Sequence, residues 1–296
     1  MVIHRTVHLV GYASGFAGAD AGSADGPSVI KHSTYLAKLD RAGVTIHWEE
    51  MVASQSGSRQ SSFQTVSSLC ESLGQSVISL VKNNQFFVVL GGDHSSAIGT
   101  WSGASHALKE KGSLGLIWVD AHMDSHTPET SQSGNIHGMP LASLLGQGNE
   151  LLTTLFNPHA KVKPEHVCLI GVRSFEEGEA ALLKQLNVRV FYMDEVNKRG
   201  LDAVFAEAIR IASNKTVGYG ISLDVDSIDP RDAPGTGVQE ENGLSGNDVL
   251  RVLASVATDA RLIGVEIVEF DPHQDKEQRT EKLIAELIAA VTLGEK

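Results

Sequence analysis

Apolar residues along the chain fall into two alternating patterns. Short runs rich in Val, Ile, Leu and Phe occur at 6–11 (TVHLVG), 44–48 (VTIHW), 86–91 (FFVVLG) and 114–120 (LGLIWVD). Others occur at 167–172 (VCLIGV), 188–193 (VRVFYM), 218–226 (GYGISLDVD) and 262–270 (LIGVEIVEF). Several are almost continuously apolar, as strands buried on both faces of a parallel sheet must be. Longer amphipathic segments lie between them. In 63–81, Phe63, Val66, Cys70, Leu73, Val77 and Leu80 recur at spacings of three or four, which predicts a helix. Similar spacing predicts helices at 97–110, 176–186, 202–213, 246–257 and 276–293, the last with Leu283, Ile284, Leu287, Ile288 and Val291 on one side. That stripe predicts core packing first and subunit contact second.

Strand and helix alternate without an internal repeat, so the fold class is α/β with a mainly parallel sheet. No Pro- or Ser-rich linker divides the 296 residues, which predicts one domain over 1–296. Two polar loops interrupt the alternation, at 11–28 and 52–62. The first follows a strand, but its glycines at 11, 15, 18, 22 and 26 do not make the G-x-G-x-x-G of a dinucleotide site. Asp25-Gly26-Pro27 within it reads as a helix start, with proline in the first turn.

Composition narrows the function classes. With 42% hydrophobic and 20% charged residues the chain is globular in type, and its net charge of -12 argues against nucleic acid or anionic membrane as partner. The same charge suits a small cationic substrate. Only Cys70 and Cys168 are present, too far apart and too few for a disulfide framework or a thiolate zinc site, and they read as buried free thiols. No signal peptide and no apolar stretch long enough to span a membrane is found, so the expected location is the cytoplasm.

Functional groups in open parallel sheets gather beyond the carboxyl ends of strands. Four candidate strands end in polar side chains there: Asp93 and His94; Asp120, His122 and Asp124; Asp224 and Asp226; Glu266 and Glu269. If extended geometry persists through the segment 120–124, its three polar side chains share one face. Each piece alone is weak, since a lone D-x-D is commonly a strand end and a lone histidine a satisfied core residue. Together they gather carboxylates that would repel one another and resist desolvation, and few lysines or arginines lie near to neutralise them. Metal ions would. Two histidines and four aspartates suit Mn(II), with Fe(II) or Co(II) as substitutes, and six ligands with bridging carboxylates fit two ions better than one. Such a pair can activate a bridging water as hydroxide near neutral pH.

The segments GGDHS (91–95), DAHMDSHTPETSQSGNIHGMP (120–140), SLDVDSIDP (222–230) and EIVEFDP (266–272), in this order, resemble the arginase family of manganese ureohydrolases. The ETSQSGNIHG segment is similar to that of arginases rather than agmatinases or formiminoglutamases. The resemblance implies a three-layer α/β/α fold with a mainly parallel sheet of about eight strands. It implies His94, Asp120, Asp124 and Asp224 as ligands of one Mn(II), and Asp120, His122, Asp224 and Asp226 as ligands of the second. It further implies conversion of L-arginine and water to L-ornithine and urea, by attack of a metal-bridging hydroxide on the guanidinium carbon. Asp124 would also hydrogen-bond that hydroxide, Glu269 would pair with the guanidinium, and His137 would shuttle the proton. Glu266 matches no such role and reads as structural.

Ser133 and Asn135 match positions that hold the substrate α-carboxylate, and Glu176 and Glu179 match acidic positions serving the α-amine. Both glutamates also suit the first turn of a helix on charge alone. His126 stands where many arginases carry a carboxylate-contacting asparagine. Ser174 replaces a frequent aspartate, Glu176 a shorter aspartate, and Val238 a common threonine. These departures keep two alternatives in view: a hydrolase of agmatine or another guanidino acid, and a metal-binding protein without turnover. A homo-oligomer, trimer or hexamer, is implied by the resemblance.

Overall fold

All eight expected strands form. In the computed structural model, which describes residues 6–18, 21–41, 44–53 and 61–293, they are β1 (Val7–Ala13), β2 (Ile46–Ala53), β3 (Phe87–Gly91), β4 (Ser113–Val119), β5 (Val167–Val172), β6 (Arg189–Tyr192), β7 (Thr216–Asp224) and β8 (Leu262–Val268). They make one eight-stranded sheet among the described residues, in the order β2-β1-β3-β8-β7-β4-β5-β6, and every pairing is parallel. The central strands are buried on both faces, which is why their sequences read as unbroken apolar runs.

Helices cover the two faces. They are α1 (Gly26–Lys31), α2 (Thr34–Arg41), α3 (Ser62–Lys82), α4 (Ser96–Leu108), α5 (Pro140–Leu144) and α6 (Glu150–Thr153). After them come α7 (Glu177–Gln185), α8 (Met193–Arg199), α9 (Leu201–Ala212), α10 (Gly246–Val256) and α11 (Arg279–Thr292). One core lies between the sheet and α3, α4 and α5, and includes Leu73, Val89, Trp101, Trp118 and Leu141. The other lies under α9, α10 and α11, and includes Leu90, Val119, Val204, Ile221, Val252 and Leu287. Successive residues of one strand, such as Trp118 and Val119, feed opposite cores, as the pleat requires. Helices α3 and α4 approach until a side chain at Gly103 would meet the Gly74 carbonyl oxygen at 2.5 Å.

The apolar stripe of α11 is buried in the chain's own core, so Leu287, Ile288 and Val291 present no surface for a subunit contact. This helix starts at Arg279 rather than 276 because Glu277 and Gln278 are both left-handed (φ 57° and 56°). Asp275 instead accepts from the Thr280 and Glu281 N–H groups and caps the first turn. In the first polar loop, α1 begins at Gly26 with Pro27 in its opening turn, as the sequence predicts. Of the second, residues 54–60 lie outside the described residues; Ser61 and Gln64 close it with reciprocal capping bonds at the start of α3. Both cysteines are buried free thiols. Among the described residues no helix is long and apolar enough to cross a membrane.

Candidate metal centre

Four adjacent strands, β3, β8, β7 and β4, deliver the candidate groups, although they end far apart in sequence at Gly91, Val268, Asp224 and Val119. Parallel register aligns their carboxyl ends, with Leu90 opposite Ile267, Asp224 opposite Val268 and Leu223 opposite Val119. His94 follows β3 in a turn where Gly92 is obligatory, since a side chain there would strike the Ser14 carbonyl oxygen at 2.0 Å.

Extended geometry does not persist through 120–124. Strand β4 stops at Val119, and Asp124 reaches the site on left-handed backbone (φ 48°). Asp226 likewise sits in a 3-10 turn, where its N–H donates to Asp224 Oδ1 at 2.9 Å. Glu269 is not on β8 either: it is left-handed (φ 62°), with its N–H donating to the Gly92 carbonyl oxygen at 2.7 Å. The convergence expected of strands is therefore made by Asp224 at the end of β7 and by turns just beyond the strands, two of them using left-handed residues, Asp124 and Glu269.

The side chains do converge. Two groups could each hold a metal ion: His94 with Asp120 and Asp224, and His122 with Asp120 and Asp226. Asp120, fully buried, belongs to both. Its Oδ2 accepts from Trp118 Nε1 at 2.8 Å and its Oδ1 from the His122 N–H at 2.7 Å, so the carboxylate is fixed between the two histidines. Asp124 joins the first group, with Oδ2 at 2.9 Å from His94 Nδ1. Asp224 falls in the first group only; its Oδ2 lies 3.2 Å from His94 Nδ1.

Hydrogen-bond polarity tests whether this set fits a cation. Glu266, fully buried, accepts from Ser96 Oγ (2.8 Å), Thr100 Oγ1 (2.7 Å), Trp101 Nε1 (3.0 Å) and Ser222 Oγ (2.8 Å). That shell of donors suits an ionised carboxylate. The single Ser222 hydroxyl proton is committed to Glu266, so His94 Nε2, 3.1 Å from Ser222 Oγ, must be the donor in that contact. A neutral ring would then present a bare Nδ1 lone pair to three carboxylates, and among the described residues Nδ1 has no hydrogen-bond partner. Lone pair and carboxylates all call for positive charge. A divalent ion supplies it, and the ring is already held for the purpose, stacked on Trp118 with centroids 4.2 Å apart.

Without a cation, protons must fill the gap. Burial and then the Asp120 charge push Asp124 from 3.8 up to about 7. Burial also raises Asp224, helped by the Asp226 and Asp120 charges. For His94 burial works downward, but Asp120, Asp124 and Asp224 outweigh it and raise the ring. All three shifts mean that the folded, metal-free chain binds more protons than the unfolded one. The Asp124 contribution to stability is therefore full below its unfolded value of 3.8 and is lost as pH rises through about 7. A loaded chain has ions in place of those protons. The melting-temperature difference between metal-loaded and chelator-treated protein is thus expected to widen as pH rises over that interval. Calorimetry across the range checks this, and a constant or shrinking difference would contradict the assignment.

Above the ligands lies a cavity of about 330 Å³ whose wall includes His126, Ser133, Asn135, His137, Glu176 and Glu179, while Glu269, Asp124 and His122 reach its floor. Among the described residues no lysine or arginine lines it. His137 Nδ1 lies 3.2 Å from Glu269 Oε1, and the same oxygen accepts from the His94 N–H at 2.7 Å. Burial lowers the His137 pKa, but the Glu269 carboxylate outweighs this and carries it to about 9.

Three participants escaped the sequence reading. Ser222 could have been found, since it stands two residues before Asp224 on the same face of β7 and opposite Glu266 in register. Thr236, whose buried Oγ1 is unpartnered at the cavity wall, and Glu240 lie in an irregular loop whose pattern carries no periodic signal.

Comparison with known proteins matches this geometry. The arginase family model covers residues 5–294. The chain belongs to the arginase family. It is 37% identical to the arginase of Bacillus caldovelox over 92% of each chain, and 35% identical to that of Bacillus subtilis over 99% of each. The crystal structure of arginase from Bacillus cereus superposes with a TM-score of 0.90 at 34% identity, covering 99% of both chains.

Within this arginase-family chain the departures line the cavity, and none belongs to the metal-capable groups. His126 Nε2 lies 3.5 Å from Glu176 Oε2 and 3.4 Å from Glu179 Oε2. Glu179 is buried and accepts from the Ser125 and Glu176 N–H groups, so its helix-start role and its place in the cavity coexist. Ser174 and Val238 also line the cavity, and Val238 is half exposed.

Proposed function

We propose that the chain hydrolyses L-arginine to L-ornithine and urea with two divalent ions, Mn(II), for which Fe(II) or Co(II) can substitute. The observation that carries this reading is the sharing of Asp120 by two metal-capable groups beneath a cavity that also presents Glu269 and His137. His94, Asp120, Asp124 and Asp224 would hold one ion, and Asp120, His122 and Asp226 the other, a set to which the family resemblance adds Asp224. Two ions so held lower the pKa of water, making a nucleophile available near neutral pH. The arginases to which the chain is similar support the choice of substrate.

The chain's own residues do the rest. Glu269, anchored by the His94 N–H, pairs with the guanidinium through two parallel hydrogen bonds and fixes its carbon for attack. Asp124 orients the attacking water. As the bond from carbon to the substituted nitrogen breaks, His137 gives its proton to the departing amine, a task suited to a ring whose proton the adjoining Glu269 carboxylate favours. His126, Ser133 and Asn135 hold the α-carboxylate, and Glu176 and Glu179 serve the α-amine; all five line one wall. A single domain over 1–296, assembly as a homo-oligomer of three or six chains, and a cytoplasmic location complete the proposal.

Urea release by Mn-loaded protein given L-arginine, agmatine and 4-guanidinobutyrate side by side tests this. L-Arginine is expected to be preferred at least tenfold in kcat/KM, because the two analogues each lack a group that the cavity wall is built to hold. Equal or greater turnover of agmatine would remove the α-carboxylate from recognition.

A further inference from the structure

The two histidines of the centre differ in what stands behind them. His94 Nε2 is fixed by Ser222 and, through it, by the buried Glu266. His122 directs Nδ1 toward Asp226 Oδ2 (3.0 Å) and Asp120 Oδ1 (3.5 Å), leaving Nε2 on the far side of the ring. There Glu240 Oε1 lies at 3.6 Å, a separation that a small rotation of this partly exposed carboxylate closes to a hydrogen bond. The loop bearing Glu240 is not loosely placed. Arg173 points all five guanidinium N–H groups at backbone carbonyls: Gly171, Asp226, Ser227, Glu240 and Glu241. Two of these belong to the turn that carries Asp226 and two to the Glu240 loop, so one side chain ties both to the end of β5. Gly243 lets the loop close over it, since a side chain there would meet Arg173 Nη2 at 2.7 Å. The Leu244 N–H and the Asp229 N–H then bond across to Ser227 and Leu244 carbonyls, both at 2.9 Å.

We infer that Glu240 is a positioning residue for the ion held by His122: it accepts the Nε2 proton, keeps Nδ1 free of hydrogen, and raises the basicity of the ring. The inference rests on the two-ion reading above. Outer carboxylates of this kind orient metal-bound histidines, and their loss typically weakens metal binding by about 10- to 100-fold. Here the effect must fall on one ion of the pair, because His94 has a separate buried partner. Glu240 is 30% exposed at its side chain, so its replacement leaves no buried donor or acceptor to compromise folding.

The test is Mn(II) retention by full-length chain challenged with graded chelator, with Mn counted per chain and electron paramagnetic resonance separating coupled pairs from isolated ions. Wild type is expected to give up two ions over one range. Glu240→Ala should release one ion at roughly 10- to 100-fold lower chelator and pass through a species with the spectrum of isolated Mn(II). Glu240→Gln, which keeps an acceptor but not the charge, should fall between. Identical release from wild type and Glu240→Ala, or parallel weakening of both ions, overturns the assignment of Glu240 alone. Wild type that never holds two ions overturns the two-ion reading and this inference with it.

Discussion

Asp120→Ala is expected to abolish binding of both ions and to slow urea release from L-arginine by more than about a thousandfold, because bound metal would lower the pKa of water to near neutral and so make the nucleophile available. The reason for so large an effect is geometric. Asp120 is the carboxylate common to both ligand groups, fixed by Trp118 Nε1 on one oxygen and the His122 N–H on the other. Its loss removes a shared ligand and lets the His122 segment drift. Asp226→Ala is the contrasting variant: Asp226 belongs to one group only, so that chain should keep the ion beside His94. Metal counting after desalting distinguishes them. The two donors orphaned in Asp120→Ala cost about 1–3 kcal/mol each if left unsatisfied, a loss that a chain relieved of a buried charge should survive folded. Two ions per chain in Asp120→Ala would end the bridging assignment.

The central strands were legible because they are buried on both faces, and burial writes itself as an uninterrupted apolar run; the edge strands β2 and β6 keep exposed positions and carry a weaker signal. The long helices were legible for the matching reason, since α3 and α11 bury one stripe and expose the other. The segments α5 and α6 were not, being one turn or little more, too short for a period to show. In the site, residue types announced the metal-capable groups, but the local backbone could not be read from them. Spacing by twos at 120, 122 and 124 reads as strand, whereas Asp124 uses a left-handed residue to turn its carboxylate back toward His94. Glu269 does the same after β8. Side-chain chemistry is local in sequence; the φ that aims it is set by tertiary contacts such as the bond from the Glu269 N–H to Gly92.

The contrast between the two histidines has a consequence for how the centre is built. The His94 side is sealed, with Ser222 and Glu266 behind the ring and Trp118 against its face, so an ion held there would have its site set by the core of the sheet. The His122 side is set by loops that one arginine gathers. Variation in those loops can retune one ion and the adjoining cavity without disturbing the sheet, which is where the departures at Ser174 and Val238 also lie.

Glu269→Gln is expected to leave both ions and the melting temperature nearly unchanged while lowering kcat/KM for L-arginine by roughly 30- to 4,000-fold. The figure follows from removing the charge of one partner of a desolvated ion pair, worth about 2–5 kcal/mol, at about 1.4 kcal/mol per tenfold. Stability should hold because Gln retains an acceptor for the His94 N–H, and the left-handed backbone at this position is unaffected by an isosteric change. Neither ligand group contains Glu269, so metal content should stay at two. The His137 ring supplies a second readout. It is raised to about 9 chiefly because Glu269 outweighs the lowering effect of burial, so neutralising Glu269 must bring it down. The alkaline limb of the rate profile governed by His137 should therefore move to lower pH in Glu269→Gln, since the ring then gives up its proton sooner. A variant with wild-type kinetics would take Glu269 out of guanidinium recognition. A variant slowed with an unmoved alkaline limb would keep it there but break its link to the proton on His137.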